Sequence, residues 1–264
     1  MSVIKFIYRL LWLVYYKIRS IFIVNWIKTI YFNLSVFPFR IAIKLPVFFY
    51  GSVKFNSLTG LVLIDAPIKT GMIKFGINLE LIKRSAHLSE IMIEGTLVFK
   101  GTIKTGVDYV LIVLKDGYLE IGSDSYIGSR IKIVCAKSIV LGRYFGLSYE
   151  SQIIDTNFHY LVNLKTREVK DKQGNIVIGD RCWIGNRTSI MKDTIIPMNC
   201  IVASNSLCNR NYLNDIPPNS IMGGIPAKLI KTDYFHYSLD PSKESIICNY
   251  MKDHIGQVYY DNDI

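Results

Sequence analysis

Acidic residues are missing from the first sixty positions of this 264-residue chain, although the whole sequence holds 21 of them. The same stretch carries Lys5, Arg9, Lys17, Arg19, Lys28, Arg40, Lys44 and Lys54, eight of the ten net positive charges. Positions 61–264 keep 23 basic against 21 acidic residues, so the net charge belongs to a head and the body is almost neutral. Fifteen of the 33 aromatic residues also fall in the head. Its cations alternate with aliphatic residues and no recognised binding motif is present, which sets nucleic-acid binding aside.

Paired cysteines are missing too. Cys135, Cys182, Cys200, Cys208 and Cys248 are odd in number, form no CxxC pair and have no histidines at zinc-finger spacing. A disulfide framework and a structural zinc are thereby excluded, and a reducing, cytosolic setting fits. The head also lacks a long uncharged run. Between Lys5 and Lys28, Leu10–Tyr16 and Ser20–Ile27 are the sizeable charge-free stretches, against the roughly 20 apolar residues of a membrane span. No small-x-small site follows them, so a cleaved signal peptide does not fit. Residues 1–58 are expected to form a basic, amphipathic helical head, lying on an anionic membrane surface or packed on the protein's own body or on a sister subunit. A tilted span with snorkelling cations stays open.

What is present is a repeat. Counting in sixes from Ile178 gives Ile178, Ile184, Ile190, Ile196, Val202 and Cys208, with Gly, Asp and Asn crowded between them. Upstream, Ile121, Ile127, Ile133 and Ile139 follow the same step, which then shifts to Leu141, Leu147 and Ile153. A period of six suits neither an amphipathic helix nor a two-sided strand. It suits short strands joined by tight bends, three to a coil, each sending one aliphatic side chain inward. The expected fold is therefore all-β, a left-handed parallel β-helix, with the helical head in front and a short helix over Pro241–Ile255 behind. The coils are expected over residues 59–231, with 232–264 as a cap or tail. Val62–Ile64, Met72–Lys74, Ile91–Val98, Gly101–Lys104 and Val110–Leu114 read as strands of the earlier, less regular coils. Asp155–Asn175 breaks the period and is expected to project as a loop.

Three segments carry a resemblance: Ile178–Ser189 (IGDRCWIGNRTS), Asp215–Ser220 (DIPPNS) and Gly224–Lys231 (GIPAKLIK). They resemble the C-terminal half of hexapeptide-repeat acyltransferases, most like the O-acetyltransferases of bacterial surface-polysaccharide assembly, which are related to maltose and galactoside acetyltransferases. The resemblance covers about Gly95–Lys231. Of the four histidines, His159 alone lies in the interrupting loop, at the end of DTNFH (Asp155–His159). That position matches the family's catalytic histidine, which follows a DxDFH-like motif; here Asn157 replaces the second Asp. The resemblance implies that His159 acts as general base and that acetyl-CoA, as co-substrate, lies between two subunits of a homotrimer, with no metal. Asn186 and Ser204 would offer backbone N–H groups to the pantetheine or thioester, and Asn209, Arg210, Lys228 and Lys231 would contact the rest of the CoA. Lys228 and Lys231 also read as an ordinary solvated strand end. Asp155 either orients the imidazole or caps the turn that opens the loop. Trp183 is expected to pack at a corner.

The function that follows is acetyl transfer to a sugar hydroxyl of a capsule, O-antigen or exopolysaccharide unit. The acceptor would be a sugar or lipid-linked oligosaccharide at the inner face of the plasma membrane. A soluble acceptor (free or nucleotide-activated sugar, serine or xenobiotic) and a non-enzymatic scaffold are the alternatives. A zinc hydratase on the same fold needs three converging histidines and fails on their number.

Overall fold

In the computed structural model, residues 23–78, 87–236, 241–254 and 259 are described. Residues 1–22 of the expected head lie outside them. Among the described residues, no helix is long and apolar enough to cross a membrane.

Three stacks of short parallel strands wind around one core as a left-handed parallel β-helix. The first face has nine strands, from Val47–Phe49 to the closing antiparallel pair Ser220–Gly224 and Ala227–Thr232. The second has seven, from Val53–Leu58 to Leu207–Cys208; the third has six, from Leu61–Ile64 to Ile195–Ile196. Every residue of the six-step series, from Ile121 to Cys208, is buried. Each such aliphatic side chain contributes about 1.5–3 kcal/mol on leaving water, and register between coils is set by stacking one above another.

The early coils looked irregular because they are longer. Ile103 pairs with Ser125, 22 residues on; Tyr126 pairs with Gly146, 20 on; Trp183 pairs with Ile201, 18 on. Only the last spacing is three sixes. In the longer coils the third-face strand carries two inward residues, as Ile139 and Leu141 do in Ser138–Leu141, which is the register shift visible in the sequence. The single strand expected over Ile91–Val98 is two strands, Ser89–Ile93 and Thr96–Phe99, on different faces. They part at Gly95, where a Cβ would stand 2.3 Å from the Gly117 carbonyl oxygen. Strands also begin at Val47 rather than at residue 59.

Before the first strand lies the helix Trp26–Val36, with a shorter one at Phe39–Ala42. Thr29 and Asn33 on its inner side hydrogen-bond the free edge of Val47–Phe49: Asn33 Nδ2 to Val47 O at 2.7 Å and Phe49 N to Thr29 Oγ1 at 3.0 Å. Phe32 packs between them against Phe37, Phe49 and Phe55. The helix thus closes the open end of the coil stack and covers an edge that would otherwise expose unpaired backbone. At the other end a helix spans Pro241–Asp253.

Candidate active site

The interruption at Asp155 is a β-hairpin arm, not a disordered insertion. Its stem is Asn157 N to Lys172 O at 2.8 Å and Gly174 N to Asp155 O at 2.9 Å, and its blades are Leu161–Val162 and Val169–Lys170. Asp155 anchors it. Its buried carboxylate accepts three backbone N–H groups, from Ala136 at 2.7 Å, Lys137 at 2.8 Å and Ser138 at 2.9 Å. No hydrogen bond links it to His159. The turn it caps is Ala136–Ser138 of the preceding coil rather than the one that opens the loop, and the geometry gives no support to orientation of the imidazole.

Phe158 has φ +61°, rare for so bulky a residue, and its N–H donates to Thr156 Oγ1 at 3.0 Å. His159 follows, exposed and with no hydrogen bond to the described residues. It lines a cavity of about 280 Å³ with Asn157, Glu168, Lys170, Asp171 and Lys192 among others. Lys192 Nζ is tied to Asp171 O at 2.7 Å and to the Asp193 carboxylate at 3.3 Å. The Gln173 N–H, then Lys137 and Lys192, hold the Asp171 carboxyl below its usual range. Lys192 and Glu168 were not singled out in the sequence. Lys192 occupies an outward position of a hexapeptide, and only the fold of the arm brings it beside His159.

Asn186 and Ser204 meet at another corner, where the first face turns into the second. They stack in successive coils, with Asn205 N donating to Asn186 O at 2.9 Å and Ser204 Oγ donating to Asn186 Oδ1. Neither backbone N–H of the pair has a protein acceptor among the described residues. Gly185 keeps this corner open, since a Cβ there would sit 2.6 Å from Ser204 N. The adjoining corner positions form a column of alternating charge: Asp108 to Arg130 at 3.7 Å, Arg130 to Glu150 at 3.3 Å, and Glu150 to Arg187 at 2.8 Å. All four have φ between 56° and 60°. Arg187, with Arg130 behind it, holds the Glu150 carboxyl below its usual range. This column too was missed, because its members are about 20 residues or more apart in sequence.

The remaining candidates lie towards the closing end. Asn209 N reaches Tyr212 Oη at 3.4 Å. Arg210 pairs with Asp215 and covers the Tyr212 ring at 4.9 Å. Lys228 is exposed on the last strand, and Lys231 lies 5.4 Å from the centre of the Tyr234 ring. Trp183 donates to Ser148 Oγ at 2.9 Å and stacks on His236 at 4.2 Å, so it packs on its own chain. Burial holds the His236 imidazole below its ordinary pKa, against the opposing pull of Glu244. Within one chain, His159 and the Asn186–Ser204 amides flank opposite edges of the second face and do not share a pocket.

No model of a known protein family matches the chain. It is 24% identical over 146 residues, 52% of its length and 72% of the relative's, to the Escherichia coli protein WbbJ, named for O-acetyl transfer in lipopolysaccharide biosynthesis. It is 35% identical over 122 residues to a 24.8 kDa protein of the cps region of Klebsiella pneumoniae, and spans about half (52%) of that relative. The crystal structure of NeuO, a polysialic-acid-specific acetyltransferase, superposes over 80% of this chain and 84% of its own with a TM-score of 0.53 at 16% identity, a likeness of fold.

Proposed function

We propose that the protein is an acetyl-CoA-dependent O-acetyltransferase acting on a sugar hydroxyl of a bacterial surface polysaccharide. The observation that carries this reading is His159 itself: an exposed imidazole with no hydrogen-bond partner among the described residues, on a built arm, at the edge of a cavity. The names of the relatives, for O-acetylation in lipopolysaccharide biosynthesis and of polysialic acid, support the substrate class.

His159 takes the proton of the sugar hydroxyl as that oxygen attacks the thioester carbonyl of acetyl-CoA. The carbonyl π electrons move onto oxygen, where a fixed N–H donor is required. When the tetrahedral intermediate collapses, the C–S bond breaks and the imidazolium returns its proton to the departing thiolate. The products are the acetyl ester and CoA thiol. The free amides of Asn186 and Ser204 are suited to hold the pantetheine or the oxyanion, and Lys228 and Lys231 to meet phosphates. Because these amides and His159 lie at different corners of one chain, a complete site takes His159 from one subunit and the amide corner from its neighbour, as in a homotrimer. The exposed apolar residues of the arm, Phe158, Tyr160, Leu161, Leu164 and Val169, favour the same packing. The protein works in the cytoplasm at the inner face of the plasma membrane, where the basic head holds it.

Incubation with acetyl-CoA and candidate glycans, following free thiol, tests the reading. Thiol release should require an acceptor and vanish in His159→Ala. Release by His159→Ala at the wild-type rate would remove His159 as base.

A further inference from the structure

The helix Trp26–Val36 is built inside out. Its inner arc holds Thr29, Phe32 and Asn33, two of them polar and engaged on the edge strand. Its outer arc is Ile27, Ile30, Tyr31 and Leu34, the i, i+3, i+4, i+7 spacing of a single helical face. All four are exposed, Ile27 at 81% of its surface, and Phe39 and Ile43 extend the patch beyond the helix. A water-facing helix normally carries the opposite pattern. The segment that carries this arc has charge of one sign: between residues 23 and 64 stand Lys28, Arg40, Lys44 and Lys54, with no Asp or Glu, and the acidic neighbour Glu90 lies opposite Lys54 in the next coil. An apolar arc on a segment whose own charges are all cationic complements a surface that is apolar within and anionic without.

We propose that this outer arc, with Phe39 and Ile43, docks the end of the coil stack on an anionic lipid bilayer, so that the stack stands upright on the membrane. The helix closes the first coil, and His159 leaves the stack four strand steps further along the second face. At about 4.8 Å per step, the arm's coil stands roughly 20 Å above the cap, plus about 10 Å for the helix itself. The acceptor that such a stance serves is a bilayer-anchored glycan presenting its hydroxyl several sugars out from the lipid, rather than the sugar next to the anchor. This last step rests on the acetyl-transfer reading; the docking does not.

Flotation of the full chain with vesicles of phosphatidylcholine, with and without phosphatidylglycerol, tests the docking. Wild type should float with the anionic vesicles, more weakly as salt rises, and stay behind with phosphatidylcholine alone. Ile27→Asp/Leu34→Asp changes two exposed side chains and should lower the anionic partition coefficient on the order of a hundredfold. Its thiol release with a water-soluble glycan should stay at the wild-type level, which shows the fold is intact. Undiminished flotation of the double variant would overturn the proposal by placing lipid binding elsewhere in the chain. Flotation lost by neither form, or a self-association in sedimentation that the double substitution abolishes, would overturn it in favour of another segment or a second copy as occupant. Flotation as predicted with no thiol release by wild type would sink the acetyltransferase reading and leave the docking standing.

Discussion

The two corners flanking the second face are made of the same fold and behave as opposites. At one, Asp108, Arg130, Glu150 and Arg187 lock coil to coil in alternating charge, and the amides of Asn186 and Ser204 have no protein acceptor among the described residues. At the other, the column gives way to an arm whose anchor is fully bonded and whose His159 is not. The contrast separates holding from reacting. On the proposed reading, the repetitive corner supplies the donors, and the interrupted corner supplies the base, an imidazole with no hydrogen-bond partner among the described residues. A β-helix can repeat the first corner indefinitely; the second has to be inserted.

Substitutions at four positions probe that contrast. The largest effect is expected of His159→Ala, which should lower kcat about a thousandfold while leaving KM for acetyl-CoA nearly unchanged, measured by thiol release. Asp155→Ala should act on stability first, because it strands three backbone N–H groups, that of Ala136 buried and those of Lys137 and Ser138 partly so. A loss of roughly 3 kcal/mol is expected in denaturant unfolding. If Asp155→Asn keeps stability yet shifts the pH profile of kcat, then Asp155 acts on His159 after all. Gly185→Ala should raise KM for acetyl-CoA about tenfold by crowding Ser204 N, with kcat less affected, as steady-state kinetics can read. Glu150→Gln should cost only a small fall in melting temperature, one that high salt erases, since the pair is largely exposed.

The Trp183–His236 stack gives a pH signature independent of catalysis. Burial favours the neutral imidazole, so the folded-state pKa lies below the unfolded value of about 6.5. Stability from this contact is complete above the unfolded pKa and declines as pH falls below it, because the unfolded chain then binds the proton more readily. Trp183 fluorescence should titrate with a midpoint below that of a free imidazole, and His236→Gln should remove the transition.

The coil was legible because Ile178 to Cys208 keep a step of six, and that step survives wherever a coil has 18 residues. It faded upstream because two-residue enlargements of the third face shift the count without disturbing burial, as at Ile139 and Leu141. The break at Gly95 was hidden for a related reason: a corner needs one glycine, and the residues on both sides stay aliphatic. His159 could be singled out since it is rare and sits in the aperiodic segment. Asp155 could not be resolved between two roles, because its partners Ala136, Lys137 and Ser138 belong to the previous coil. Lys192 and the charged corner column escaped for the same cause, as neighbours across coils lie 18 to 37 residues apart in the chain, and Glu168 escaped because only the pairing of the arm's two blades brings it near His159. The outward apolar arc of the first helix was anticipated only as a composition, and its direction follows from Thr29 and Asn33 turning inward to the edge strand.

The central claim is that one reaction site draws on two chains, and mixed oligomers test it most directly. Gly185→Leu, which blocks the amide corner, and His159→Ala, which removes the base, should each be inactive alone. Unfolded together in equal amounts and refolded, they should recover about a quarter of wild-type thiol release, the share of interfaces that pair an intact base with an intact corner. Recovery at that level is the predicted result. A mixture as inactive as its components would contradict the shared site and place base and amides in the same chain.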